Sequence, residues 1–513
     1  MQDDPSAAEP QANAAAGPTN TRALARRAVR STVWVTLGTY LNQLIGFVSI
    51  LVMTRLLTPE IFGWFSLATF WSTLLSVRAK LGLNYAAIRQ PATDGKLMGT
   101  YTVLELIAAV SSFGLSIVTG LILLALGTAS EVVMALIVLV TVECFGVLSY
   151  PFSMALDKEL EVSRLTLVGL IAAMVAYVVA IGLALAGVGL WSLLAINCIT
   201  GFISAIGIYR LCRRRYPQVF HFKWRYDRGL ARRLLADGVP TGLSLAALGN
   251  IVTQFDNFLI GTFVGYATLG YYDRAYRIAH WPNLLLTMII TRIGFLTFAR
   301  VQNDPPRLTH AMRLSLWVLT TFGIPLALFL FFGAPDVVLV LYGPTWSESA
   351  YFLRFLTIYS LVWPFVSTGF WLAVALGHRR TVMTFTGTQA ALLIFLGTPF
   401  TLKWGAMGTI LAVGITMVVA FSMSSYYVFR HVQLTLREVY AVPLLGLVVS
   451  LAAIGFAYQW PAWNALPPLV RLGLTGLLCA GIYLTTIFVA QPREMRERMR
   501  YVRQLLTSKS AAT

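Results

Sequence analysis

Two stretches of the sequence carry the same pattern: PEIFGWFSLATF at 59–70 and YATLGYYDRAYR at 266–277. Gly63 corresponds to Gly270, and two aromatic residues follow the glycine in each copy. Each copy lies at the junction of two long apolar segments, so we interpret the chain as two homologous halves that each begin with a helical hairpin. Such a duplication is typical of membrane transporters, in which two helix bundles form a cavity that opens to each side of the membrane in turn.

The composition is that of an integral membrane protein. Of the 513 residues, 57% are hydrophobic and 12% are charged, and the mean hydropathy is +0.72. So few charges cannot cover a water-soluble protein of this size. We attribute the net charge of +18 to Lys and Arg in cytoplasmic loops that face anionic membrane lipids, and we expect no nucleic-acid partner. The four cysteines show neither metal nor disulfide spacing, and we expect no metal and no cofactor.

About 14 apolar runs are long enough, at about 20 residues, to cross a bilayer as helices. They lie near 31–53, 61–79, 99–126, 131–155, 165–186, 190–211, 238–264, 268–299, 311–333, 349–376, 381–401, 405–428, 439–459 and 468–490. Most of the 39 Lys and Arg fall in alternate connections, so the positive-inside rule predicts that both termini are cytoplasmic. The predicted fold class is an all-α integral membrane protein with two pseudo-symmetric six-helix lobes plus two C-terminal helices.

The apolar spans and the connections between them divide the chain into six predicted regions. They are a disordered basic cytoplasmic N-terminus at 1–30, an N-terminal lobe at 31–211, a cytoplasmic amphipathic linker at 212–237, a C-terminal lobe at 238–430, two further helices at 431–490 and a basic cytoplasmic tail at 491–513. In the linker, Leu230, Leu234 and Leu235 share one helical face, which suits a short helix in the lipid headgroup layer. A solvated basic linker is the alternative.

Chemistry is expected where polar residues interrupt apolar spans, because such residues are costly to insert. The substrate-binding candidates are Asn42, Gln43 and Arg55 in the first half, and Gln254, Asn257, Arg274, Arg277 and Arg292 in the second half. Guanidinium groups match the oxygens of a diphosphate well. Arg274 and Arg277 are equally compatible with internal ion pairs to Asp273, whereas Arg292 has no local acidic partner. Asp256 is the candidate for ion coupling, with a structural role as the alternative.

Three stretches together resemble a known family: TRLLTPEIFGWFSLATF (54–70), LGLNYAAIRQP (81–91) and DNFLIGTFVGYATLGYYDRAYRIAHWP (256–282). They resemble the polysaccharide transport family of Wzx-type flippases, nearest to its WzxC branch, within the superfamily of the MATE drug exporters and the lipid II flippase MurJ. The resemblance covers about 31–430. It implies a V-shaped cationic cavity between two lobes, with Arg55 and the 256–277 motif facing it. It also implies that the helices at 439–490 form a groove for a lipid tail.

The resemblance further implies a flippase of the bacterial inner membrane. Its substrate would be an undecaprenyl-diphosphate-linked oligosaccharide, moved to the periplasmic leaflet for the synthesis of exopolysaccharide, capsule or O-antigen. Its implied partners are membrane lipids, a periplasmic polymerase and a chain-length regulator. MurJ-like cavities use arginines within the first helix, whereas this chain has only Arg55 at the far end of that helix. This difference argues against a protein specialised for lipid II.

Two other classes of function stay open. A MATE-like antiporter for cations or drugs needs an acidic cavity, which Asp256, Glu105 and Glu143 would supply. A membrane glycosyltransferase or ligase needs a carboxylate-bearing outer loop, and the outer loops here are too short to hold one. The sequence also lacks a phosphate-binding GxxxxGK[ST] loop. We therefore expect a transporter and not an enzyme.

Overall fold

The helices of this chain are seen in a computed structural model, which describes residues 18–90, 93–159, 161–243, 249–289, 298, 304–492 and 494–496. All the regular structure in these residues is helical. Arg292, a candidate binding residue, lies outside the described residues.

The first half contains eleven helices up to the end of the linker. They are α1 Pro18–Leu56, α2 Pro59–Leu75, α3 Val77–Leu81, α4 Leu83–Ile88, α5 Gly95–Ala125, α6 Ser130–Gly146, α7 Tyr150–Lys158, α8 Val162–Leu185, α9 Leu190–Arg215, α10 Gln218–His221 and α11 Arg228–Gly242. The rest of the chain forms α12 Gly249–Phe263, α13 Tyr266–Ile289, α14 Pro305–Leu341, α15 Ser347–Ala375, α16 Arg379–His431, α17 Leu436–Tyr458, α18 Pro461–Asn464 and α19 Pro468–Ala490.

Nine of the described helices are long and apolar enough to cross a membrane, and α6 with α7, bent by 52°, forms a tenth candidate. α16 counts once in this number although it contains Gly405 at φ 59° and ψ −143°, a conformation that only glycine adopts easily. Gly405 lies at the predicted boundary between the spans 381–401 and 405–428. The all-helical membrane fold is confirmed, and a count of about 14 crossings is consistent with these helices.

Contacts between Cα atoms divide the chain into two compact units. Unit 1 comprises Met1–Met53, Leu75–Ile122 and Leu136–Leu243, and unit 2 comprises Thr54–Leu74, Leu123–Ala135 and Ser244–Thr513. Unit 2 thus includes the α1–α2 turn and the α5–α6 turn of the first half. These turns pack with the second half of the chain.

In unit 1 the linker helix α11 packs on protein. Leu234 and Ala231 are buried in one core cluster with Leu83, Ala87 and Leu156, and Leu230 and Leu235 pack against that cluster. The burial of these leucines is driven by the removal of apolar surface from water. The expectation that this leucine face contacts the lipid headgroup layer is therefore wrong, because α11 packs against α3 and α4.

The segment before α11 is fixed by backbone contacts. The N–H of Arg225 donates to the carbonyl oxygen of Gly95 at 3.0 Å, and the N–H of Asp227 donates to Thr100 Oγ1 at 3.0 Å. Asp227 then caps α11 by accepting from the N–H of Leu230 at 2.9 Å. The same hydrogen bond lowers the pKa of the Asp227 carboxyl below its usual value. The linker is thus an ordered part of unit 1.

In unit 2 the last two long helices are fastened to α14. Arg471 of α19 forms a bidentate ion pair with Asp336 of α14, and its Nε lies 2.6 Å from Asp336 Oδ2. Further along the same pair of helices, the hydroxyl of Tyr483 donates to the carbonyl oxygen of Thr320 at 2.9 Å. α17 packs against both helices and completes a three-helix group.

Candidate functional site

The two copies of the repeat cross each other inside unit 2. A Cβ atom placed on Gly63 of α2 would overlap the carbonyl oxygen of Tyr266, and one placed on Gly270 of α13 would overlap the carbonyl oxygen of Pro59. Pro59 and Tyr266 hold the same position in the two copies, as do Gly63 and Gly270. The contact is therefore reciprocal, as a twofold relation between the copies requires. Glycine at both positions lets the backbones touch.

Aromatic side chains surround this crossing. The rings of Trp64 and Tyr266 lie edge to face with centroids 6.5 Å apart, and those of Phe62 and Trp346 lie likewise at 5.4 Å. Trp346 is fully buried, and its Nε1 donates to the carbonyl oxygen of Thr54 at 2.7 Å. The N–H of Ala129 donates to the Tyr266 hydroxyl at 3.1 Å. The two turns of the first half that belong to unit 2 are thus both fastened at the crossing.

One turn along α13 lies a charged cluster of three residues. The carboxylate of Asp273 pairs with Arg274 and also with Arg277, whose Nε lies 3.0 Å from Asp273 Oδ2. Arg274 is 1% exposed and its guanidinium lies 4.3 Å from the ring centroid of Phe62, whereas the Arg277 side chain is 48% exposed. The internal ion pairs considered from the sequence are therefore present. They do not exclude ligand binding, because one carboxylate serves two guanidinium groups.

Asp256 is buried in α12 within the same unit. Its Oδ2 accepts from the Tyr272 hydroxyl at 2.6 Å, and its Oδ1 accepts from the N–H of Asn257 at 2.9 Å. Next to it, Asn257 Nδ2 donates to Gln254 Oε1 at 2.8 Å. These hydrogen bonds satisfy the carboxylate without a neighbouring cation at ion-pair distance among the described residues. The arrangement suits a group that is charged in one state and protonated in another.

The remaining candidates are spread over the two units. Arg55 is exposed at the end of α1, and its Nη2 donates to the carbonyl oxygen of Val340 at 2.7 Å. It lines a cavity of about 330 Å³ together with Pro467 and Leu469. Asn42 is exposed and Gln43 half-buried in the part of α1 that belongs to unit 1. The structure thus brings together Gln254, Asp256 and Asn257, and separately Arg274 with Arg277.

A larger cavity lies beside the last helices of unit 2. It has a volume of about 580 Å³, and α14, α17 and α19 line it with apolar side chains that include Trp317, Pro443 and Ile487. One end is polar, where Arg313 of α14 lies 3.9 Å from Glu438 of α17. An apolar groove with a charged end suits an amphiphile. Val439, Pro443 and Ile487 of its lining belong to 439–490, the region for which the resemblance implies a groove, and that groove stays a prediction.

Two of the three acidic residues considered for an antiporter, Glu105 and Glu143, are bonded within unit 1. Glu105 is 1% exposed and its Oε2 lies 2.8 Å from Nε of Arg78. Glu143 accepts a hydrogen bond from the Ser76 hydroxyl at 2.5 Å. The guanidinium of Arg78 also lies over the ring of Tyr150, at 3.5 Å from its centroid. Glu105 is thus neutralised by an internal cation.

Several residues of this site were missed from the sequence. Phe62 lies over Arg274 and packs on Trp346, Tyr272 donates a hydrogen bond to Asp256, and the Asp336–Arg471 pair joins α19 to α14. Of these residues, only Tyr272 could have been singled out from the sequence, because the repeat aligns it with Phe65. The others depend on contacts between distant parts of the chain, which spacing alone does not reveal.

Known proteins match this chain both in sequence and in fold. The profile of a family described as "Polysaccharide biosynthesis protein" matches residues 52–351. The succinoglycan biosynthesis transport protein ExoT of Rhizobium meliloti (strain 1021) is 25% identical over 327 residues, which cover 63% of this chain and 64% of ExoT. The chain therefore matches just under two thirds of the length of that relative. The lipopolysaccharide biosynthesis protein WzxC of Escherichia coli (strain K12) is 22% identical over 353 residues, covering 66% of this chain and 68% of WzxC.

Two solved structures share the fold. The lipid II flippase MurJ, in an inward closed conformation, matches with a TM-score of 0.70 at 14% identity, covering 90% of this chain and 100% of that chain. An inward-facing multidrug resistance MATE transporter of the MOP superfamily matches with a TM-score of 0.62 at 15% identity, covering 76% of this chain and 95% of its own. The predicted resemblance in fold to MurJ and to the MATE transporters is confirmed.

Proposed function

Because the chain belongs to the polysaccharide biosynthesis protein family, we propose that it is a flippase for lipid-linked oligosaccharides. Its substrate is an undecaprenyl-diphosphate-linked repeat unit, which it moves across the bacterial inner membrane for the synthesis of a surface polysaccharide. The names of ExoT and WzxC support a role in this synthesis. The fold shared with MurJ supports a transporter rather than a catalyst. Both termini lie in the cytoplasm, as the distribution of Lys and Arg indicates.

The observation that carries the mechanism is the reciprocal crossing of α2 and α13. By the predicted topology, the crossing lies on the periplasmic side, because α1 ends and α13 begins there. At its centre are two glycine positions and the carbonyl oxygens of Pro59 and Tyr266, and aromatic side chains pack around them. Separation of this crossing opens the periplasmic side. Alternating access then requires only that the two repeats move apart and return.

The groove beside α17 and α19 accounts for the lipid part of the substrate. A polyprenyl chain is apolar along its whole length and ends in a diphosphate. The groove offers apolar walls for the polyprenyl chain, and its polar end carries Arg313 together with Glu438 and Glu494, so the diphosphate is held elsewhere. Because α19 is tied to α14 by the Asp336–Arg471 pair, the groove keeps its shape when the crossing separates. The lipid chain stays in contact with this groove and the bilayer while its headgroup crosses.

Export of the polysaccharide in cells tests this function. In the native host, deletion of the gene abolishes the surface polysaccharide and leaves lipid-linked repeat units at the cytoplasmic face. The wild-type gene restores export. Arg55→Ala and Arg277→Ala weaken the handling of the diphosphate by about 1.5–3 kcal/mol each, the value of a charge-assisted hydrogen bond. Normal export from the deletion strain would contradict the proposed function. Normal export from both arginine variants at normal abundance would contradict the proposed role of Arg55 and Arg277 in binding the diphosphate.

The periplasmic partners follow from the product. A repeat unit delivered to the periplasmic leaflet is the substrate of a polymerase, whose chain length a regulator sets. We propose that the polymerase and the regulator act after this protein in the same pathway.

A further inference from the structure

The cavity of about 580 Å³ that α14, α17 and α19 line has a polar end whose charges have no role in the proposed function. Arg313 of α14, Glu438 of α17 and Glu494 beyond α19 line that end, with His310 and Gln491 beside them. It therefore carries two carboxylates and one guanidinium. Such a set repels a ligand that carries only negative charge, and it attracts a ligand that carries both a cation and an anion.

The pair formed by Arg313 and Glu438 is loose. Arg313 Nη2 and Glu438 Oε2 are 3.9 Å apart, and the two side chains are 49% and 55% exposed. An exposed pair at this distance contributes little to folding. Glu438 lies in the first turn of α17, where its backbone N–H donates to Thr435 Oγ1 at 3.4 Å, so the start of the helix positions this residue independently of Arg313. Both side chains are thus available to bond the two charges of a ligand.

The predicted topology places this end at the lipid headgroups. α14 and α17 begin, and α19 ends, on the predicted cytoplasmic side, so the polar end lies level with the headgroups of the cytoplasmic leaflet. The cavity adjoins a second one of about 420 Å³, since Trp317 and Thr321 line both. The lining of the second cavity is mostly apolar and includes Phe322, Leu484 and Phe488. Two adjoining apolar spaces suit a lipid with two chains, whereas a polyprenyl carrier has one.

We propose that this end binds the headgroup of a membrane phospholipid that carries a primary ammonium, such as phosphatidylethanolamine. Arg313 bonds the phosphate, and Glu438 and Glu494 bond the ammonium, which has three N–H donors. A quaternary ammonium has no such donors, and an uncharged alcohol headgroup brings no cation to the two carboxylates. The site goes beyond the proposed function, because this lipid is not the cargo. It rests on that function in one respect, since the phospholipid fills the groove until a polyprenyl chain displaces it.

Lipid binding by the purified protein tests the headgroup. Native mass spectrometry of the delipidated protein in detergent compares phosphatidylethanolamine, phosphatidylcholine and phosphatidylglycerol with the same acyl chains. We expect phosphatidylethanolamine to bind about 10-fold more tightly than the other two. Glu438→Gln combined with Glu494→Gln removes that preference, whereas Glu348→Gln, at an exposed residue of the predicted periplasmic end of α15, keeps it. Arg313→Ala weakens the binding of all three lipids, because all three carry a phosphate.

Equal binding of the three lipids by the wild type, tighter binding of phosphatidylglycerol, or a preference that survives in the double glutamine variant would overturn the proposal. Melting temperatures check that the variants are folded, and Glu438→Gln alone replaces the double variant if the latter is not.

The displacement step is tested by adding undecaprenyl diphosphate to the complex with phosphatidylethanolamine. We expect it to lower the amount of bound phospholipid. Unchanged phospholipid with undecaprenyl diphosphate also bound would overturn the displacement, and no binding of undecaprenyl diphosphate by folded protein would contradict the proposed function. Absence of any headgroup preference, with normal transfer of the lipid-linked sugar between liposome leaflets, would overturn this inference and leave the proposed function intact.

Discussion

Asp256 illustrates how much one buried side chain depends on its neighbours. Tyr272 and Asn257 satisfy its two oxygens, and the described residues place no cation at ion-pair distance from it. The titratable groups near it are Tyr272, Asp273 and Tyr276 of α13, with Tyr359 of α15 beyond them. A carboxylate in this setting gains from binding a proton or a small cation. Its role in coupling transport to an ion gradient stays a prediction.

Replacement of Asp256 tests that role. Asp256→Asn keeps the shape but removes the charge, and the Tyr272 hydroxyl must turn to accept from the new amide nitrogen instead of donating. We expect transport to lose its dependence on the ion gradient. Tyr272→Phe keeps the carboxyl group and is the matched control, expected to alter the dependence without abolishing it. The measurement is substrate transport into vesicles at several imposed gradients. Wild-type dependence in Asp256→Asn would show that the residue is structural.

A second residue-scale prediction concerns the Asp336–Arg471 pair. Asp336 is 3% exposed, so Asp336→Ala leaves the Arg471 guanidinium poorly solvated and destabilises the protein by about 3 kcal/mol. Asp304→Ala breaks an exposed pair with Arg307 and costs under about 1 kcal/mol. Thermal unfolding of the purified variants in detergent compares the two. Equal melting temperatures would show that the buried pair contributes little.

At the scale of elements, the crossing of α2 and α13 depends on the absence of two Cβ atoms. Gly63→Ala and Gly270→Ala each force a backbone carbonyl to move, at a cost of about 1–3 kcal/mol to the closed arrangement. We expect each variant to populate the outward-open state more and to lower polysaccharide export several-fold. Gly114→Ala is the control, because open space surrounds that helical glycine in α5. Unchanged export in both crossing variants would remove the crossing from the mechanism.

The sequence predicted these elements well and their contacts poorly. Apolar periodicity and length located the helices, and the repeat identified Gly63 and Gly270 as equivalent. Their direct contact was not predictable, because nothing in the pattern states that the two copies meet. The prediction that the leucine face of α11 contacts lipid failed for the same reason. An amphipathic face predicts that something apolar covers it, but not whether that is lipid or the protein itself.

At the scale of the whole molecule, the predicted topology places both termini in the cytoplasm and alternates from there. Reporter fusions at 129, 188, 345 and 464 are expected to report the periplasm, and fusions at 95, 305 and 510 the cytoplasm. The physical basis is the concentration of Lys and Arg in alternate connections. A reversed reporter at any one position would require a different number of crossings before it.

The central claim is that this protein moves a lipid-linked diphosphate sugar between leaflets, and a reconstituted system measures that movement directly. Liposomes containing the purified protein receive a fluorescent undecaprenyl-diphosphate oligosaccharide, and a membrane-impermeant quencher reports the fraction left in the outer leaflet. We expect transfer between leaflets to be accelerated many-fold over protein-free liposomes, and to be reduced in Arg277→Ala liposomes. Transfer at the protein-free rate by folded wild-type protein, under every imposed ion gradient, would contradict the account.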